Sequence, residues 1–211
     1  MTPTAISLPS EAPIMVLPGA VLFPNTVLPL RIFEPRYRAM LQWALERDRM
    51  FCVAMMKPGI TEAETEGQFF HLAGIGLVAA SVTQTDGTSN LMLHGLARVR
   101  FTGFSQHTPF RIATIEPMPG IAAAPSLAGP LVKKLRELCS AIRVDGSRLP
   151  ASFTDVLDEI EDPDFLADTI ANSLVNDAME RQRLLGQQDP LERLRDIARI
   201  LGREFPGGQP A

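Results

Sequence analysis

The chain has 211 residues, of which 45% are apolar and 21% charged, and its formal net charge is −4. This composition predicts one large or two small globular domains, and the charge argues against a nucleic-acid-binding protein. Residues 1–118 hold 9 Lys and Arg against 9 Asp and Glu, and residues 119–211 hold 11 against 15, so neither half is basic. No window of 18 residues is free of charged and turn-forming residues, which predicts no membrane span.

The first elements lie in an apolar run that prolines interrupt at nearly even spacing. These are Pro18, Pro24, Pro29 and Pro35. Because proline weakens strands and breaks helix interiors, the run predicts short, bent, buried segments at 14–17, 21–23 and 27–30. Apolar residues after Pro35 recur at helical spacing, which predicts a helix over 35–47 with proline at its first position.

A series of strand-like segments follows, at 51–56, 72–84, 91–93, 97–104 and 110–116. Residues 57–68 are predicted to form a polar loop, whose acidic part, 61–67, we expect to be mobile. Asp86-Gly87 is a hairpin signal, and the spacing of Gly74 and Gly76 indicates a bulge or a close strand approach. Residues 1–118 are therefore predicted to form a small mixed or antiparallel barrel.

Beyond residue 118 the sequence changes to a Pro-, Gly- and Ala-rich linker and then to helical periodicity from Leu127 to Ile142. Asp162-Pro163 and Asp189-Pro190 each combine a capping residue with a first-turn proline, which predicts two further helices. Residues 119–211 are thus predicted to form a helical bundle with a linker and a frayed tail. Its acidic segment 155–168 and its charged segment 181–195 are interpreted as solvated helix faces.

The sequence contains no recognisable catalytic constellation. His71, His94 and His107 lack a second ligand at metal spacing, so we predict no metal and no cofactor. Cys52 and Cys139 are interpreted as buried thiols, and a reducing cytoplasm is the expected compartment. Four further apolar residues are open to two interpretations, as core or as a soft peptide-binding surface: Met55, Met56, Phe69 and Phe70.

The proline-punctuated run, LPGAVLFPNTVLPLRIFEPRYRAML, resembles the opening signature of the Lon protease N-terminal domain family. The positions that carry the resemblance are Pro18, Gly19, Phe23, Pro24, Pro29, Leu30, Phe33, Glu34, Arg36 and Tyr37. Segments at 86–104, 110–118, 164–174 and 181–201 are similar to later parts of the family, so the resemblance runs from about residue 13 to 203. Asn25 stands where the family usually has glycine, and we expect it to adopt the left-handed geometry that asparagine tolerates.

The resemblance implies an α+β fold, in which a PUA-like small β-barrel with one or two helices is followed by a C-terminal helical bundle. In Lon-type proteases this region precedes an ATPase and a Ser-Lys protease domain and helps to capture unfolded substrates. This sequence has no Walker motif and is too short for either domain. It is therefore expected to be a non-catalytic polypeptide-binding or adaptor module, whose partners are unfolded polypeptides or a partner protein held on an apolar surface between barrel and bundle.

The resemblance also suggests roles for the signature residues, which are mainly structural. Phe23, Leu28, Leu30 and Phe33 are predicted to fill the barrel interior. Glu34 is predicted to pair with Arg36 or Arg31, while Tyr37 packs beneath the strand-to-helix corner.

Two other functions remain open. A PUA-like RNA-binding protein would use Arg98, Arg100 and Arg111 as a basic stripe. A small-molecule enzyme would use a pocket of the barrel with polar groups of shifted pKa.

Overall fold

The structure is a computed structural model that describes residues 7–121, 125–144 and 147–205. The chain divides into two compact units, Met1–Met118 and Pro119–Ala211. The first is built on a mixed sheet and the second is mainly helical, which confirms the predicted α+β class. Among the described residues, no helix is long and apolar enough to cross a membrane.

The first unit follows the predicted order of elements. It contains β1 (Glu11–Pro18), β2 (Val27–Ile32), α1 (Pro35–Leu45), β3 (Met50–Met56), β4 (Leu72–Thr83), β5 (Ser89–Gln106) and β6 (Arg111–Pro117). The segments predicted at 91–93 and 97–104 are one continuous strand of 18 residues, β5. Residues 21–23 form no strand.

Five of these strands close into a barrel. Each strand pairs with the next in the order β5, β4, β3, β1, β6, and β6 pairs back with β5. The β1–β3 pair is parallel, while the other pairs in the ring are antiparallel. The remaining strand, β2, pairs with residues 89–94 of β5, whereas β6 pairs with residues 99–106. One edge of β5 is therefore shared by two strands, and β2 lies outside the ring.

Alternate residues of the ring strands build two separate cores. Ile14 of β1 pairs with Cys52 of β3, and both belong to the barrel interior, which takes residues from all five ring strands. Met15 and its neighbour Val53 belong to an outer core that α1 covers. Because the parallel pair β1–β3 lies between the two cores, β3 is buried along its whole length.

Helix α1 begins at the predicted proline. Glu34 has an extended backbone before it, Pro35 takes the first helical turn, and Tyr37 and Met40 are among the residues that face the outer core. The helix ends at Leu45, two residues earlier than predicted.

The prediction that Leu28, Leu30 and Phe33 fill the barrel interior is wrong. Phe23 is fully buried. Leu28 and Leu30 are half-buried and pack against the outer core, because β2 lies outside the ring. Phe33 is 61% exposed, since it follows the buried Ile32 and points to the opposite side.

The segment that joins β1 to β2 packs directly on the strands. A Cβ atom on Gly95 would lie 2.0 Å from the carbonyl oxygen of Phe23. The Gly95 carbonyl accepts the Asn25 N–H, and the Gly95 N–H donates to the Thr26 carbonyl, both at 2.8 Å. Asn25 has a φ of 59°, which confirms the predicted left-handed geometry. The close approach predicted at Gly74 is to Leu22 of this segment, and β4 also carries an irregular register at Ile75/Gly76.

The second unit contains more helices than the sequence predicted. Its elements are α2 (Pro125–Ala141), the short strands β7 (Arg143–Val144) and β8 (Ser147–Arg148), α3 (Ala151–Glu159), α4 (Pro163–Leu174), α5 (Ala178–Gly186) and α6 (Pro190–Glu204). The predicted caps are confirmed, because Asp162 accepts the Asp164 N–H and Asp189 accepts the Leu191 N–H, both at 2.8 Å. The residues of the predicted frayed tail, 207–211, and part of the predicted linker, 122–124, lie outside the described residues.

One charged residue of the predicted bundle exterior is fully buried. The Arg193 side chain has no exposed surface, and its guanidinium donates to Asp168, at 2.9 Å, and to Asp164. It also donates twice to the Gln187 carbonyl, at 3.0 and 2.7 Å. Asp168 is buried as well, although the acidic segment was predicted to be solvated. The reason is that α6 packs against both α2 and α4, which leaves Arg193 inside the bundle.

Candidate functional site

The signature residues mainly connect elements of the first unit. The Tyr37 hydroxyl accepts the Val16 N–H at 3.1 Å and donates to the Val16 carbonyl at 3.0 Å, so it fixes α1 to β1. Burial raises the pKa of Tyr37 above its ordinary value, against the opposing effects of Arg36 and of the Val16 hydrogen bond. The predicted ion pair forms between Arg36 and Glu34, at 2.7 Å. At the end of β1, Gly19 has a φ of 65°, which glycine adopts without strain.

The four residues considered as a peptide-binding surface do not form one. Met55, Met56 and Phe69 are buried, and Phe70 is half-buried. Their position follows from the chain path, because Phe70 donates its N–H to the Met55 carbonyl at 2.9 Å and Met56 bridges to Phe69. Phe69 then packs at the barrel end with Phe101 and Phe104. The structure therefore agrees with the interpretation of these four residues as part of the core.

The predicted basic stripe is also incomplete. Arg98 is 3% exposed. The Arg111 guanidinium donates to the carbonyls of Ala63 and Glu64, at 2.8 and 2.7 Å, and so holds the acidic loop that the sequence predicted to be mobile. Arg100 is the member of this set whose side chain is exposed.

In the part of the chain that the structure describes, the cysteines and two of the histidines are buried or engaged in contacts. Burial raises the pKa of Cys139 to about 12 and also raises that of Cys52, so neither thiol is activated. His71 is exposed and its Nε2 lies 3.0 Å from the Glu66 carbonyl, while His107 stacks on Phe104. Within the described ranges, no group of three or more His, Cys, Asp or Glu residues could hold a metal ion.

An accessible apolar surface lies elsewhere in the first unit, on the outer side of β2, β5 and β4. Pro29 pairs with Met92, and Met92 pairs with Ala80, so these residues form one row across three strands. Val27 and Val82 lie two positions away along their strands and therefore point to the same side. We call this set the apolar face: Val27, Pro29, Ala80, Val82 and Met92.

The apolar face is unusually exposed for its composition. Val82 is 61% exposed, Val27 45% and Met92 42%. A concavity of about 550 Å³ lies over it, and Leu30 and Leu91 add to its lining. Contiguous exposed apolar patches in soluble proteins mark interaction sites more often than isolated apolar residues do.

The face is better suited to side-chain contacts than to strand addition. Strand β2 is the terminal strand of the sheet order, so its outer edge is available for pairing. Pro29, in the middle of β2, has no N–H to donate, which interrupts the ladder that an added strand would need.

Charged residues lie at one end of the face. Arg31 pairs with Asn90, in the same row as Val82, and lines the concavity. The nearby carboxylate is that of Asp86 in the β4–β5 turn, which accepts the Thr88 N–H at 2.9 Å and the Thr88 hydroxyl at 2.8 Å. These hydrogen bonds, together with the charges of Arg31 and Arg38, hold the pKa of Asp86 below its ordinary value.

A second concavity, of about 700 Å³, lies between α1 and the β4–β5 turn. Its lining is more polar and includes Arg38, Gln42, Glu46, Thr83 and Ser89. The Arg38 guanidinium lies over Gly87, where a side chain would displace it.

Sequence reasoning missed the apolar face because both sides of β2 are apolar. In the segment VLPLRI, the inward Leu28 and Leu30 alternate with the outward Val27 and Pro29, so period-two patterning does not separate them. The pairing of Pro29 with Met92 and Ala80 was needed to reveal the surface.

Comparison with known proteins places this architecture in a family. A family model described as the ATP-dependent protease La (LON) substrate-binding domain matches residues 11–203. Curated relatives include the Lon proteases of Trichlorobacter lovleyi, 26% identical over 200 residues, and of Desulfovibrio desulfuricans, 27% identical over 201 residues. Each alignment covers 94% of this chain but only 24% and 23% of the relative, so the chain spans about a quarter of their length.

Solved structures share the fold. The N-terminal domain of Mycobacterium avium complex Lon protease superposes with a TM-score of 0.73 at 17% identity, covering 92% of this chain and 100% of that one. A Lon N-terminal domain protein from Xanthomonas campestris gives a TM-score of 0.60 at 20% identity, covering 89% and 96%. With the family match over nearly the whole chain, these findings show that the chain belongs to the LON substrate-binding domain family.

Proposed function

We propose that this chain is a non-catalytic module that binds apolar segments of unfolded polypeptides or of a partner protein on the apolar face. The observation that carries the proposal is the exposure of Val27, Val82 and Met92 on one side of three paired strands. Methionine is flexible and polarisable, so a surface centred on Met92 adapts to apolar side chains of different shape.

The family membership supports the same function. The matching family is described as substrate-binding, and the curated relatives are Lon proteases that extend well beyond the matched region. The proposed role is therefore recognition, with no catalytic step assigned to this chain. The proposed compartment is the cytoplasm, in keeping with two cysteines that are buried and unpaired. The RNA-binding alternative is weaker, since Arg98 is buried and Arg111 is engaged by backbone carbonyls.

A binding measurement tests the proposal. The ligand is a short labelled peptide with leucine at alternate positions and serine between them, and fluorescence anisotropy reports its affinity. The variant Met92→Ser/Val82→Ser removes two exposed apolar side chains, and we expect it to weaken binding by at least about tenfold, since each loses on the order of 1 kcal/mol of apolar contact. Both side chains are exposed in the free protein, so the variant should keep its stability.

Leu127→Ser provides the matched control. Leu127 is 58% exposed but belongs to α2 in the second unit, so its replacement removes a comparable apolar surface without touching the apolar face. The control should bind as the unaltered chain does. Equal affinity in the double variant and the control would show that the apolar face is not the binding surface.

A further inference from the structure

The lining of the apolar face carries a single sign of charge. Arg31 is the charged member of the residues that line its concavity, and its side chain is exposed. It belongs to the row of Asn90 and Val82, next to the row of Pro29, Met92 and Ala80. Neighbouring rows are two residues apart along each strand, or about 6.6 Å.

Arg31 brings a positive charge to this end of the apolar face. Arg38 also lies near, and both guanidinium groups act on the same carboxylate, Asp86. That carboxylate also accepts two hydrogen bonds from Thr88, which stabilise its charged form. Elsewhere, Glu34 pairs with Arg36, and Arg38 and Glu46 both line the second concavity. Among the described residues that line the concavity over the apolar face, Arg31 therefore supplies the charge, and its sign is positive.

The row spacing indicates the shape of the ligand. A polypeptide in extended conformation presents side chains of one side every two residues, which is also about 6.6 Å. An extended segment running along the strands therefore places successive same-side residues over successive rows. In one of the two possible chain directions, a residue over the row of Met92 is followed, two positions later, by one over the row of Arg31.

We propose that the face selects extended segments in which apolar residues at alternate positions are followed, two positions later, by an acidic side chain that meets Arg31. This inference rests on the proposed function and specifies its ligand. The apolar residues supply most of the binding, and the carboxylate sets the register of the segment on the face. Because Arg31 is exposed, the pair contributes selectivity more than affinity.

Three labelled peptides test the inference. They share the alternating leucine sequence, carry an amide at the C-terminus, and differ at one position beyond the last leucine, which is Glu, Gln or Lys. With the unaltered chain we expect the Glu peptide to bind about two- to fivefold more tightly than the Gln peptide, which is the range of an exposed ion pair. The Lys peptide should bind more weakly than the Gln peptide. The preference should diminish at high salt.

Variants of Arg31 then locate the charge. Arg31→Gln should abolish the preference, and Arg31→Glu should reverse it in favour of the Lys peptide. Arg100→Gln, which removes another exposed arginine ten positions beyond Asn90 on β5, should keep the original order. Circular dichroism confirms that each variant is folded.

The outcomes separate this inference from the proposed function. Equal binding of the three peptides, with loss of all of them in Met92→Ser/Val82→Ser, would overturn the acidic preference and leave the apolar face as the binding surface. A preference that survives in Arg31→Gln would overturn the assignment to Arg31. Failure of the unaltered chain to bind any of the peptides would overturn the proposed function itself.

Discussion

At the scale of single residues, the first unit depends on backbone approaches that only glycine permits. The segment between β1 and β2 passes over the sheet so closely that Phe23 and Gly95 have no room for a side chain between them. The two hydrogen bonds of Gly95, to Asn25 and Thr26, keep this segment in place. The segment in turn leads directly into β2, so the position of the apolar face depends on this contact.

Gly95→Ala is expected to lower the free energy of unfolding by about 3 kcal/mol or more. The new methyl group would lie 2.0 Å from the backbone oxygen of Phe23. Overpacking costs about 1–3 kcal/mol where side chains can move, and a backbone oxygen moves less readily than a side chain. Gly103→Ala is the matched control on the same strand, because its Cβ would meet only Thr114 Oγ1, at 3.8 Å. Urea unfolding measures both. Similar stabilities for the two variants would contradict the close packing of Phe23 on Gly95.

Residue-scale features were predictable from the sequence only where the residue type itself constrains the backbone. Asn25 was assigned a left-handed conformation because it replaces a glycine, and Pro35 was assigned to a first helical turn. Phe33 was placed in the core because it is large and apolar, yet it is exposed. Whether an apolar residue is covered depends on what packs over it, and the local sequence does not contain that information.

At the scale of elements, capping chemistry identified helices that periodicity alone described poorly. Asp162 and Asp189, each followed by proline, marked α4 and α6 correctly. Helices α3 and α5 overlap segments interpreted as helix faces but were not predicted as separate elements. Each has only nine residues, and α5 is largely polar despite its cap at Asp177. Short polar helices gain most of their stability from neighbouring elements, so their own sequences give a weak signal.

Arg193 shows how one buried charge organises several elements. Its guanidinium reaches Asp164 and Asp168 on α4 and the Gln187 carbonyl after α5. All of these contacts come from the Arg193 side chain of α6, and that side chain has no solvent-exposed surface. Removal of the arginine would leave the buried Asp168 carboxylate without this cation.

Arg193→Met should therefore destabilise the second unit by about 3–5 kcal/mol, the usual cost of breaking a buried ion pair from one side. Arg195→Met is the control, since Arg195 lies two positions away and pairs with Glu192 on the exposed side of the same helix. Its replacement should lower the free energy of unfolding by less than about 1 kcal/mol. Thermal unfolding followed at the helical circular dichroism signal measures both. The double variant Arg193→Met/Asp168→Leu should recover part of the loss, and a larger loss in the double variant would contradict the pairing.

At the scale of the whole molecule, the barrel closes through contacts between distant parts of the chain. Strand β5 pairs with β2, β4 and β6, and β1 pairs with β3 and β6. Local patterning located most of the strands but not their partners, and it was the family resemblance that implied the PUA-like barrel. The apolar face is a product of the same long-range pairing, because its residues come from three strands that are separate in sequence.

Every residue of the apolar face, and Arg31, belongs to the unit Met1–Met118. That unit has its own closed ring of strands and two cores, so we expect residues 1–118 to fold when produced alone. We also expect this fragment to bind the alternating-leucine peptide with the affinity of the full chain. Trp43, the single tryptophan, packs edge-on against Phe110 with ring centroids 6.2 Å apart, so its fluorescence reports the fold of the fragment. A fragment with native tryptophan fluorescence that does not bind the peptide would show that recognition requires residues of the second unit.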